Sequence, residues 1–93
     1  MAGPRDIAEM LTPLAEDLGG RLEGLGEHHP LALVHERLAR LVYELQQEPP
    51  LVDKMRTLQE LGFLKEHSLN EEMADFHNSV QRAVDEVMTA RWS

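Results

Sequence analysis

Within "GEHHPLALVHERL", residues 26 to 38, three of the chain's five histidines fall inside eight positions, beside two glutamates. Imidazoles and carboxylates are the side chains that hold a metal ion or pass a proton near neutral pH. His28 and His29 precede Pro30 and belong to a loop and helix-cap region. His35 follows Val34 at the margin of an apolar stripe, and His77 takes the matching position after Phe76. His28, His29, His35 and His77 are thus the candidate metal ligands. On an antiparallel pair of helices His35 and His77 would meet, with Glu36, Glu44 or Glu72 to complete a metal or phosphoryl site.

The spacing argues against both chemistries. His-Glu-x-x-His is absent, and so is the paired Glu-x-x-His of di-iron bundles. After His35 the run "ERLAR" lacks the lysine and glycine that histidine-phosphotransfer domains typically show. The plainer reading makes His28 and His29 solvated loop residues, and has His35 and His77 cover the core edge with one wet nitrogen each. No metal and no cofactor is expected. The serines are Ser68, Ser79 and Ser93, the first better explained as a helix cap, and no cysteine exists to form a disulfide, thiolate site or nucleophile. An enzyme is not expected.

The elements that would position these side chains are helical. Fifteen leucines, six valines and five methionines, against the four aromatics Tyr43, Phe63, Phe76 and Trp92, describe an aliphatic core poor in strand formers. Ile7, Leu11, Leu14, Leu18, Leu22 and Leu25 recur at helical spacing. Thr12-Pro13 permits either a break after residue 11 or one kinked helix, and Gly19-Gly20 weakens the middle unless it lets another helix pack closely. Pro30 starts a second helix over 30–47 with the face Leu31, Val34, Leu38, Leu41, Val42 and Leu45, stopped by "EPP". Glu36 and Arg40 form its favourable i,i+4 pair.

A third stripe is Leu51, Val52, Met55, Leu58 and Leu61. Gly62 closes that helix in the left-handed conformation, with Phe63 folding back on Leu58. Ser68 and Glu71 form a capping box that starts the last helix, whose face is Met73, Phe76, Val80, Ala83, Val84 and Val87. Arg91 suits the negative end of its dipole. The expected fold is all-α: one domain over 1–93, a compact antiparallel bundle of four helices, or five if the first segment breaks.

Seventeen acidic against nine basic residues give a formal charge of −8, which repels nucleic-acid phosphates. The segment after Ser68 begins "LNEEMAD" and offers no base-reading arginine, so direct DNA reading is rejected. No stretch approaches the apolar length of a membrane span, and the start has no signal-peptide pattern. A cytoplasmic protein that binds neither membrane nor nucleic acid is expected.

What remains is recognition by surface shape. The nearly heptad stripes suit bundle seams within one chain or between two. Leu33, Phe63, Leu64, Leu69 and Trp92 are the candidate interaction residues, and with Met10, Met55 or Met88 they would form a groove or dimer face. The expectation is an acidic interaction module, an adaptor, regulator, inhibitor or assembly factor. It would bind another protein, one with a basic surface in keeping with the charge, and would pair with itself as a homodimer.

Overall fold

A computed structural model describes residues 3–24, 29–69 and 71–90. It contains four α-helices: α1 (Pro4–Leu22), α2 (Pro30–Leu45), α3 (Lys54–Glu66) and α4 (Ala74–Thr89), the last preceded by a 3₁₀ turn at Glu71–Met73. No strand occurs among the described residues, and the expected all-α antiparallel bundle is the fold.

Helix α1 runs unbroken through Pro13. Proline has no N–H to donate to the Glu9 carbonyl, but Pro13 and Glu9 are both exposed, so that carbonyl is left to water rather than to the core. Pro4 occupies the first turn, the Asp6 carboxylate accepts the Gly3 N–H at 2.8 Å, and Gly24, at φ 83°, takes the left-handed position past the end. Helix α2 begins at Pro30 as the sequence indicates, and His29 is its cap: the ring Nδ1 accepts the Leu31 N–H at 3.2 Å.

Helix α3 departs from the sequence reading in three ways. Asp53 caps it, accepting the Arg56 N–H at 2.7 Å, and it passes through Gly62 to Glu66. Gly62 has no positive φ and closes nothing. Its buried face is Thr57, Leu61 and Leu64, whereas Leu51 and Met55 are more than 60% exposed. Thr57 fits the core because its hydroxyl donates to the Asp53 carbonyl at 2.8 Å, leaving a methyl group to pack. The Ser68 capping box is absent. Ser68 is 1% exposed and donates its hydroxyl backwards, to the Leu64 carbonyl at 2.9 Å, so it finishes α3 instead of starting α4.

The four helices form a ring in which each packs on its neighbours in sequence and α4 returns to α1. Helices α1 and α3, and likewise α2 and α4, stand on opposite corners, with no Cα atoms within 8 Å of each other. Directions alternate: Arg5 of α1 pairs with Glu48 past the end of α2, and the Arg21 guanidinium donates to the Glu72 carbonyl before α4 at 3.4 Å. One core spans all four helices, from Ile7, Leu11 and Leu18 through Val34, Leu38 and Leu41 to Phe76, Val80 and Val87. Helices α1 and α2 meet closely at Gly19, where a methyl group would sit 3.5 Å from His35 Nε2.

Charge is divided unevenly around the ring. Residues 71–89 carry five acids (Glu71, Glu72, Asp75, Asp85, Glu86) against Arg82 alone, and α1 carries four acids against two arginines. Helix α2 is balanced. Helix α3 with its capping residue is balanced as well, Lys54, Arg56 and Lys65 against Asp53, Glu60 and Glu66.

Candidate functional site

The histidines do not assemble. His35, on α2, abuts α1 at Gly19; His77, on α4, lies in the seam with α3. The diagonal placement of α2 and α4 keeps the two apart, and His28 lies outside the described residues. His29 is occupied as a cap. It shares a cavity of about 520 Å³ at that end of the bundle with Arg21, Glu72 and the histidine not singled out from sequence, His67, whose Nδ1 pairs with the Phe63 carbonyl at 2.9 Å. No group of three His, Cys, Asp or Glu side chains among the described residues is placed to hold a metal ion.

Two further grooves lie on the outside of the bundle, and they differ in chemistry. The α2–α3 groove, about 290 Å³, is lined by Arg37, Arg40, Arg56, Glu44 and Glu60, with Leu33 on its rim. Its charges answer one another. Glu60 accepts from Arg37 at 2.8 Å and faces Arg56 at 3.4 Å, and Arg40 turns to Glu44 at 3.4 Å rather than to Glu36. Phe63 lies inside α3 beneath the Arg37 guanidinium and against the His67 ring, not folded back on Leu58.

The α3–α4 seam is apolar instead. Positions 55, 58, 62 and 65 of α3 and 77, 81, 84 and 88 of α4 recur every three or four residues, which places each set on one helix flank. Antiparallel packing sets 55 level with 88 and 65 level with 77, and Lys54 ties that register by donating to the Met88 carbonyl at 3.2 Å and the Ala90 carbonyl at 2.7 Å. Met55 is 65% exposed, Met88 63% and Leu69 72%, with half-buried Leu58 and Val84 between. Gly62 leaves open space where a side chain would stand, and the resulting depression, about 230 Å³, is walled by Lys65, Glu66, Leu69 and His77. A second depression, about 390 Å³, continues past Leu69 and His77 to Glu71, Ala74 and Asn78.

Of the interaction residues expected from sequence, Leu69 lies on this seam, and Leu33 lies on the other groove. Leu64 is corrected: it is 1% exposed, in phase with Thr57 and Leu61, and belongs to the core. It reaches the core because α3 continues past Gly62 to Glu66. Trp92 falls outside the described residues, as does Arg91. Gly62 itself was missed as part of a surface, although its distance of seven residues from Met55, about 20° in helical phase, is legible in the sequence. Comparison with protein-family models, with curated proteins and with solved structures returned no match to this chain.

Proposed function

We propose that the chain is a small acidic protein–protein interaction module, of adaptor, regulator, inhibitor or assembly-factor type, that holds another protein on its α3–α4 face. The observation that carries this reading is the alignment of three exposed large apolar side chains along one seam, Met55 and Met88 at one end and Leu69 at the other, with a depression at Gly62 between them. Single exposed apolar residues are ordinary on soluble proteins; a connected patch with a concavity is the form in which partner surfaces occur. Methionine adds a flexible, polarisable side chain that adapts to an opposing surface. The α2–α3 groove is the weaker candidate, because its guanidinium and carboxylate groups already satisfy each other.

The test is site-specific photo-crosslinking in the producing cells, with a photoreactive side chain at Leu69, at Met88, at Leu33 and at Glu16. Adducts to protein at 69 and 88, and none at 33 and 16, are expected. No adduct at either seam position sinks the reading.

A further inference from the structure

We infer that the end of the bundle where α1 and α3 finish and α2 begins carries a proton-sensitive latch, in which His29 caps α2 as a neutral ring and releases it when the ring takes up a proton.

Two histidines close helices at this end, and they do so with opposite polarity. His29 is the N-cap of α2, and its Nδ1 accepts the Leu31 N–H at 3.2 Å. That bond needs a bare Nδ1, so the neutral ring carries its proton on Nε2. His67 is the C-cap of α3, and because the Phe63 carbonyl can only accept, the His67 Nδ1 donates to it at 2.9 Å. One ring serves as an acceptor at a helix start, the other as a donor at a helix end.

A second proton, which imidazole takes up between about pH 8 and 5, separates the two. On His67 the Nδ1–H is already in place and stays, and a cation suits the negative end of α3. On His29 the proton lands on the accepting atom and sets a donor against a donor. The new cation also stands at the positive end of α2. The bond to Leu31 exists only with the neutral ring, so what it contributes is present at high pH and withdrawn as the pH falls. The bond at His67 persists.

The surroundings give the released ring a second partner. The cavity of about 520 Å³ at this end is lined by His29, Pro30 and Leu31 at the start of α2, Arg21 of α1, His67 after α3, and Glu72 and Met73 of the 3₁₀ turn. Arg21 repels a protonated His29, although Asp17 engages that guanidinium at 3.0 Å. His67 adds a second positive charge over the same pH range and rests on the Phe63 ring that also carries Arg37. Glu72 attracts the charged ring from the same cavity wall. Protonation thus turns His29 from the backbone of α2 towards a carboxylate of the turn before α4. Leu31, half-buried against the core beside the cap, loosens with the bond.

Long-range proton–nitrogen NMR of the full chain, with amide exchange measured between about pH 8 and 5, tests this. At the upper end His29 is expected as the Nε2–H tautomer and His67 as the Nδ1–H tautomer. Protection of the Leu31 amide, relative to the unstructured chain at the same pH, should fall about fivefold as the His29 ring titrates. In His29→Asp the protection should be equal at both ends of the range, because an aspartate caps equally well and keeps its charge down to about pH 4. His67→Gln should leave the fall at Leu31 in place. An Nδ1–H tautomer of His29 at the upper pH overturns the inference, as does unchanged Leu31 protection in the parent or an equal fall in His29→Asp.

Discussion

The guanidinium carbon of Arg37 lies 3.8 Å from the centre of the Phe63 ring, and the same guanidinium donates to Glu60 at 3.1 Å through Nε. A cation held between a carboxylate and an aromatic face ties α2 to α3 across the groove between them. Arg37→Met keeps most of the apolar stem but removes the charge and leaves Glu60 with Arg56 alone. The expected loss in urea denaturation is roughly 1–2 kcal/mol, with Arg37→Lys recovering only part of it. No change in midpoint would mean that the contact contributes nothing.

Ser68 and Glu71 separate the two accounts of the α3–α4 connection. If Ser68 finishes α3, Ser68→Ala costs about 1 kcal/mol by removing the bond to the Leu64 carbonyl, and Glu71→Ala changes stability by less than about 0.5 kcal/mol. Comparable losses from both substitutions would restore the capping box.

Leu61 and Met55 were equal members of the third stripe in the sequence, but the fold makes them unequal. Leu61→Ala should cost roughly 2–5 kcal/mol by opening a cavity, as should Leu38→Ala, whereas Met55→Ala should stay within about 0.5 kcal/mol in the monomer. Thermal melts of the three variants decide it, and a Met55 loss as large as that of Leu61 would contradict the phase assigned to α3.

Gly20 and Gly62 stand inside helices, with nothing within 4 Å of the position a β-carbon would take. Alanine at either site is expected to stabilise the fold by up to about 1 kcal/mol, through better helix propensity alone. Gly62→Ala should at the same time fill the seam depression and weaken binding there. A variant that melts higher and binds less well would assign Gly62 to recognition rather than to folding.

The buried faces of α2 and α4 could be read directly, though not the start of α4, because their apolar residues keep helical spacing and no polar side chain intrudes on the buried stripe. Helix α3 resisted the same method for a chemical reason. Thr57 is polar by type, yet it turns its hydroxyl onto the backbone and buries a methyl group, so a stripe drawn from apolar letters alone rotates onto the wrong flank. Gly62 and Ser68 carry strong local signals that were each outvoted: the helix continues because Leu64 still finds the core, and the serine bonds to the turn behind it rather than the one ahead. Periodicity names a face but not its neighbour. The ring order that separates His35 from His77, and the seam that gathers Met55, Leu69 and Met88, exist only once the helices are packed.

The unequal loading of the four helices also makes the molecule an electric dipole, with its acidic side at α1 and α4 and its balanced side at α2 and α3. In the field of any charged surface such a body rotates before it touches. A polyanion would turn the α2–α3 side forward, and a polycation the α1–α4 side. At about 0.15 M salt this torque fades beyond roughly 8 Å, so orientation is set in the last layer of solvent. The encounter complex is thereby sorted by direction as well as by rate.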